Sequence, residues 1–331
     1  MKVSSREEVL EILRMPDAQF REEVMPEAEK AAETALGRTL RVTSMMGYTN
    51  ICKNNCLYCG MRAGNPSLPR YRVPPEQVIS GFLKAADHGY GRAFLIAGED
   101  PLYRFDDLLS IVSALKARGM YISLACGEYG KDRYEALADA GVDEYVLKFE
   151  MSDPVSFNRL NPSTTFEKRM KAVETIRTLG MKLASGNIVD WPGQTTEELA
   201  EDILLMKKLE ISWAPIIPYL PAAGTPLAQE GGRGRLEILY KEIALLRLMM
   251  PEVHITAQQP GTDLKKGLAD PEGNLAAVRA GADLLFFDLL PDAQARNFRV
   301  IDDRNISGPA HIARLEEISG YRIDTGKELL L

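Results

Sequence analysis

Three of the four cysteines in this 331-residue chain fall within eight positions: Cys52, Cys56 and Cys59 in "NICKNNCLYCGMR". Cysteines this clustered in a chain otherwise poor in them read as metal ligands, not as a disulfide framework. A structural zinc site takes four protein ligands, often in two paired halves. The chain has no second C-x2-C pair, and its three histidines (His88, His254 and His311) are remote from the loop in sequence. Thiolates also hold iron–sulfur cubanes, which normally take four. Three leave one iron open to a substrate or cofactor, the feature that separates catalytic from structural metal sites. The fourth cysteine, Cys126, closes the apolar run "YISLAC" and reads as a small buried residue. Its place at the end of that run keeps a fourth-ligand role open.

The elements that position this loop can be read from the hydropathy pattern. Strand-like apolar runs occur at 41–47, 93–98, 121–126, 144–149, 183–189, 214–220, 253–257 and 283–288. Amphipathic stretches of helical period follow each of them, several closing on glycine as helix C-termini do. Eight strand–helix pairs in strict alternation imply a parallel sheet. At this length they predict an α/β chain folded as a (β/α)8 TIM-type barrel with an N-terminal helical extension over about residues 5–36. The domain division expected is residues 1–38 for the helical segment and 39–331 for the barrel. The alternative is a doubly wound open sheet, but no G-x-G-x-x-G fingerprint follows the first strand. In such barrels the site forms where the strands end, and the cysteines lie directly after the first one.

Composition bounds the partners. The chain is 45% apolar and 26% charged with a net charge of −7, which argues against a nucleic-acid surface. The N-terminus "MKVSSREEVLEILRM" lacks the apolar core of a signal peptide, and no window approaches the ~20 apolar residues of a membrane span. The expectation is a cytoplasmic enzyme with neither a nucleic-acid nor a membrane partner.

Taken together, Cys52, Cys56, Tyr58 and Cys59 form C-x3-C-x-aromatic-C after the first strand of a βα array. This resembles the signature of radical S-adenosylmethionine (SAM) enzymes. The resemblance implies a 4Fe-4S cluster on the three cysteines, its free iron chelated by SAM, and one-electron cleavage to methionine and a 5′-deoxyadenosyl radical. It also implies an electron donor such as flavodoxin or ferredoxin. "AGED" (97–100) resembles the family's G-G-E element with Ala97 in place of the first glycine, and so implies SAM contacts at Gly98, Glu99 and Asp100. Glu150 and Arg169 match a glutamate–arginine pair that engages SAM. Gly186 and Ile188 fit a segment near adenine, with Asp190 where glycine is usual. Tyr58 would present its backbone to adenine.

Further motifs ("RYR" at 70–72, "GEDP", "FEKR", "PGQT", "GTPLAQE") resemble the group that holds the FeFe-hydrogenase maturase HydE, methylornithine synthase and, more distantly, biotin synthase. A HydE-like activity is the first expectation. A carbon-skeleton mutase acting on an amino acid is the second, and a non-catalytic zinc or electron-carrying barrel the third. The position resembling the mutase's carboxylate-holding arginine is Pro215. Polar residues expected at strand ends, Ser123, Thr256, Gln258, Gln259 and Asp288, suggest a small polar or zwitterionic substrate. Tyr219 is expected to pack in the core.

Overall fold

The computed structural model describes residues 1–302 and 308–326. All eight apolar runs form strands: β1 (Thr39–Thr49), β2 (Arg92–Ala97), β3 (Tyr121–Ala125), β4 (Glu144–Val146), β5 (Lys182–Ala184), β6 (Trp213–Ala214), β7 (His254–Ile255) and β8 (Leu284–Asp288). Each pairs in parallel with the next from β1 to β7, and β8 pairs in parallel with β1. A parallel bridge between Thr256 and Leu284 joins β7 to β8 and closes the ring. The expected (β/α)8 barrel is therefore present.

The amphipathic stretches fold as helices around it: Pro75–Asp87, Phe105–Ala117, Lys131–Asp139, Phe166–Thr178, Thr196–Lys208, Leu236–Met249, Pro271–Arg279 and Pro309–Ser319. Strand alternation sends one side-chain set inward and the other toward these helices. Met45, Phe94, Val146, Ala184, Trp213, Leu284 and Phe286 fill the barrel interior. The larger core lies between barrel and helices and takes in Val42, Leu95, Leu124 and Ile243.

Two strands are shorter than their runs predict. The fifth run breaks after Ala184 and resumes at Ile188–Val189; the sixth breaks after Ala214 and resumes at Ile217–Pro218. Pro215 has no N–H to give the ladder. Ser185 turns its hydroxyl onto Leu147 O (2.7 Å). The resumed pieces pair with each other above the ring and raise one side of its mouth. The helix Pro154–Leu160, which the sequence pattern did not single out, lies after β4 at the same end.

The N-terminal extension opens on the helix Arg6–Arg14, capped reciprocally by Ser5 and Glu8. A second helix, Met25–Leu36, buries Ala28, Ala32 and Leu36. The segment is clamped to the helices after β5 and β6. Arg6 pairs with Glu201 at 2.6 Å, and Lys241 Nζ donates to Met15 O (2.6 Å) and Asp17 Oδ1 (2.8 Å). Among the described residues no helix is long and apolar enough to cross a membrane.

Candidate active site

The cysteine loop is built by side chains that spend their hydrogen bonds on its backbone. Arg70 lies under it and donates to Asn50 O (2.7 Å), Met61 O (2.8 Å), Arg62 O (2.6 Å) and Asn65 O (3.3 Å). Neighbouring segments pin it from outside: Leu57 N donates to Leu160 O (2.9 Å), Tyr58 OH to Asn161 Oδ1 (2.7 Å), and Gly60 N to Val300 O (3.1 Å). Two glycines are forced by close approach. A Cβ on Gly98 would lie 2.3 Å from Ile51 O and 2.9 Å from the Cys52 Cβ, and one on Gly60 would lie 2.4 Å from Arg299 O.

The three thiols lie in one another's electrostatic field. Burial pushes Cys52 up, Cys56 to about 12, and Cys59 higher still, and the neighbouring sulfurs add to the rise at Cys56 and Cys59. Such a set becomes thiolate only against strong positive charge, as irons supply. Among the described residues no three His, Cys, Asp or Glu side chains converge to hold one metal ion. A cubane asks for no such point, since each thiolate meets a different iron. The donor set fits a three-cysteine cluster. Cys126 is 2% exposed, packs in the core and sits 3.0 Å from Tyr48 OH, the buried reading of the sequence.

At the end of β2, consecutive acids take separate roles. Glu99 Oε1 accepts from Glu128 N (2.9 Å), and its Oε2 pairs with Lys53 (3.1 Å) on the cysteine loop. It rests against Gly127, where a Cβ would come within 2.0 Å of the Glu99 side chain. Asp100 is a correction to the expected SAM contacts. Arg72 at 2.5 and 2.8 Å, Thr49 Oγ1 at 2.9 Å and Leu102 N at 3.0 Å occupy its carboxylate. Its work is to tie β1 to the β2 loop.

At the end of β4, Glu150 stands in the left-handed region (φ 61°), uncommon outside glycine. Its backbone is fixed on both sides: Glu150 N donates to Gly186 O (3.0 Å) and Ile188 N to Glu150 O (2.9 Å). Its carboxylate pairs with Lys148 at 3.0 Å. Arg169, 7% exposed, donates to Glu128 and Lys148 O and stacks 5.3 Å over Phe157. Its acidic partner is thus Glu128 and not Glu150. Lys148 and Glu128 were missed in the sequence, yet each had a signal. Lys148 shares Glu150's side of the strand two positions earlier, and Glu128 repeats the Gly-Glu pattern of Gly98–Glu99 at the end of the next strand. Asp190 also lies in the left-handed region (φ 53°), which glycine, usual in the motif it resembles, adopts without strain. Its carboxylate is held by Arg235 at 2.9 Å.

These groups ring a cavity of about 350 Å³ in the barrel mouth, lined by Tyr58, Glu150, Arg169 and Ile188 above and by Phe94, Trp213 and Phe286 below. Gly186 packs beside Ile216, a lining residue: a Cβ on Gly186 would lie 3.1 Å from the Ile216 side chain. Of the residues expected to hold a polar substrate, Thr256 and Gln258 line this cavity. The other three are not among its lining residues. Ser123 sits below the aromatic floor, donating to Glu144 (2.6 Å). Gln259 is fully buried and donates to Ile216 O and Thr256 O (both 2.9 Å). Asp288 accepts from Leu290 N (2.8 Å) at the rim. Tyr219 packs with Met151, Trp191 and Leu227 as expected. A larger cleft, about 770 Å³, runs outside the barrel along the helix Pro75–Asp87 and shares none of these residues.

A loop of three partly buried thiols over a closed parallel barrel, with acids at the ends of β2 and β4, defines a class, and comparison with known proteins names it. Residues 46–206 match the Radical SAM superfamily, and the chain belongs to that superfamily. It is 32% identical over 287 residues to the FeFe-hydrogenase maturase subunit HydE of Thermotoga maritima, an alignment spanning 87% of this chain and 81% of that protein. A biotin synthase of Acinetobacter baumannii is 28% identical over 289 residues, 85% of this chain and 84% of the other. Among solved structures, methylornithine synthase (PylB) superposes with a TM-score of 0.82 at 22% identity, covering 97% and 94% of the two chains. The FeFe-hydrogenase maturase HydG superposes with a TM-score of 0.79 at 16% identity, covering 97% and 73%. At those identities the structures establish the shared fold. The protein is an enzyme of the radical SAM type, with a 4Fe-4S cluster and SAM as its cofactors.

Proposed function

We propose that this enzyme is a HydE-like radical SAM protein acting on a small substrate enclosed in its barrel. The observation that carries the reading is the placement of Cys52, Cys56 and Cys59 on one loop above the cavity that Glu150, Arg169 and Ile188 line. Cluster and SAM, when bound, supply a 5′-deoxyadenosyl radical by one-electron cleavage of the sulfonium.

The chain's own groups hold and orient. Cys52, Cys56 and Cys59 would ligate three irons. Glu99, now paired with Lys53, would meet the ammonium of SAM, whose two ends need opposite partners. Arg169, held by Glu128, would offer its fork to the carboxylate. Glu150, paired with Lys148, would be a second acid engaging SAM. The Gly186–Ile188 backbone and that of Tyr58 would lie near adenine. Gly98 lets β2 approach the loop closely enough for Glu99 to reach it. Chemistry falls to residues 39–331, with residues 1–38 bracing the helices after β5 and β6. The electron enters through the half-exposed cysteine loop from a carrier of the flavodoxin or ferredoxin kind, in the cytoplasm.

The test is anaerobic reconstitution, reduction with dithionite and addition of SAM. Expected are about four irons and four sulfides per chain and deoxyadenosine above the no-enzyme background. One zinc without sulfide, or no deoxyadenosine from an iron-loaded sample, rejects the proposal. Lysine turnover by the same preparation would move the reading to the amino-acid mutase. That reading gains no support from Pro215, which lines the cavity at the position resembling the mutase's carboxylate-binding arginine.

A further inference from the structure

The floor of the cavity is apolar, and its polar atoms are already spent. Phe94, Trp213 and Phe286 pack against one another with ring centroids 5.1, 5.5 and 5.2 Å apart. Met45, Ala125 and Val146 complete the wall. The indole N–H of Trp213 donates to Thr256 Oγ1 (2.9 Å), and that hydroxyl lies 3.4 Å from Ala214 O. Gln258 uses both ends of its amide on one residue: Nε2 donates to Phe286 O (2.8 Å) and Oε1 accepts from Phe286 N (3.2 Å). Its side chain thereby extends the ladder to β8 where β7 has ended.

Beneath the rings, Ser123 and Ser212 both donate to Glu144 at 2.6 Å. The void there is about 10 Å³, at most the size of one water. A ligand group that reaches the floor therefore meets ring faces and methyls; the one unpaired hydroxyl among the described lining residues, Tyr219 OH, belongs to a different cluster, packed with Tyr58 and Trp191. The charged pairs, Lys148–Glu150 and Arg169–Glu128, lie at the mouth.

We propose that the part of the substrate seated on the Phe94–Trp213–Phe286 floor is uncharged and apolar, aromatic or branched aliphatic, and that these rings set the enzyme's specificity. The proposal rests on the reading of this cavity as the reaction chamber and adds the substrate class to it. An ammonium or carboxylate there would be stripped of water without a compensating partner, whereas a ring gains offset or edge contacts with three aromatic neighbours.

The experiment compares an apolar probe, 4-fluorotoluene, with a charged probe that has no ring, 3-fluoropropionate. Fluorine NMR titrations are run on the cluster-loaded enzyme with SAM present. Expected is at least tenfold tighter binding of 4-fluorotoluene. Val146→Phe, which fills the wall, is expected to weaken 4-fluorotoluene at least tenfold with iron content per chain retained. Equal or tighter binding of 3-fluoropropionate that Val146→Phe abolishes overturns the proposal, as does a Val146→Phe protein that keeps its iron and its full affinity for 4-fluorotoluene. Deoxyadenosine formation in the same samples reports separately on the radical SAM reading. It can fail while the probe ranking holds, or hold while the ranking fails.

Discussion

Arg72 grips Asp100 with two hydrogen bonds at 2.5 and 2.8 Å, one residue beyond Glu99, whose carboxylate turns instead onto Glu128 N and Lys53. Adjacent acids on an extended backbone face opposite ways, so one serves the mouth of the barrel and the other anchors its wall. Burial opposes ionisation of Asp100. The bonds from Arg72, the Leu102 amide and Thr49 outweigh it and hold the carboxyl below its usual range. An acid depressed in the folded state contributes stability above its unfolded pKa, about 3.9, and loses it as pH falls through the folded value. Asp100→Asn should destabilise the protein at pH 7 by about 1–2 kcal/mol, the lower part of that range reflecting a half-exposed Arg72. Urea melts of the apo protein from pH 7 to pH 3 should show the difference from wild type shrinking toward the acid end.

Glu99→Gln removes the charge proposed to meet the ammonium of SAM and spares the shape. Charge-assisted hydrogen bonds are worth about 1.5–3 kcal/mol, so SAM affinity should fall roughly tenfold to a hundredfold by equilibrium dialysis, with iron content unchanged. A Glu99→Gln protein with wild-type SAM affinity would remove Glu99 from the ammonium site.

Gly98→Ala tests the close packing of β2 against the cysteine loop. The added methyl meets Ile51 O at 2.3 Å and the Cys52 Cβ at 2.9 Å, a backbone atom and the first carbon of a proposed cluster ligand, neither free to swing away. Overpacking of this kind costs about 1–3 kcal/mol. Iron bound per chain after reconstitution should drop, and Cys52 should become the cysteine most reactive to alkylation. Gly119→Ala, at a helix end with open space where the Cβ would sit, is the control for a loss of stability remote from the loop.

The strands were legible because each carries enough apolar residues to be buried on both faces. β2 and β8, at Arg92–Ala97 and Leu284–Asp288, fall almost where the runs at 93–98 and 283–288 place them. The cysteine loop was legible because its chemistry lies in local spacing. Height within the barrel was not. Ser123 belongs to a correctly read strand, but its level is set by the stagger between strands, which pairs it with Glu144 and drops it beneath Trp213 and Phe286. The same blindness hid Glu128 and Lys148, whose roles depend on Arg169 arriving from a helix over 20 residues away in sequence. Asp190 shows the converse. A residue unusual for its motif takes a left-handed backbone that glycine adopts freely, held there as Gln194 Oε1 accepts from its N–H (2.6 Å) and Arg235 holds its carboxylate.

Beside the adenine segment, Asp202 and Glu242 are both fully buried and joined through Asn187, which donates to Asp202 Oδ2 (3.2 Å) and Glu242 Oε2 (3.5 Å). Burial pushes Asp202 up to about 7, against the hydrogen bonds from Ser152 and Asn187. Burial and the nearby Asp202 raise Glu242 well above its usual range. An acid raised on folding keeps its proton while the unfolded chain has lost it, so Asp202 makes stability decline as pH rises from about 4 to about 7, and Glu242 adds to the decline. The expected slope for Asp202 is about 1.4 kcal/mol per pH unit. Asp202→Asn should flatten the pH dependence of the urea midpoint between pH 5 and 7. A variant with the wild-type slope would assign the proton elsewhere.

Cysteine replacements separate ligands from filler. Cys56→Ala should leave less than the full cluster and no deoxyadenosine, because a cubane with two protein ligands has lost the set that leaves a single iron open. Cys126→Ala should behave differently. It deletes a sulfur that is 2% exposed and touches Tyr48 OH at 3.0 Å, leaving a small void and an unpartnered hydroxyl at a cost of about 1–3 kcal/mol. The melting temperature should therefore fall by several degrees while iron content and the reduced-cluster EPR signal stay at wild-type levels. The EPR signal should still shift when SAM is added, because the fourth iron of the cluster is free to receive it. If Cys126→Ala lost iron in step with Cys56→Ala, Cys126 would be the fourth ligand, and SAM would have no iron to bind.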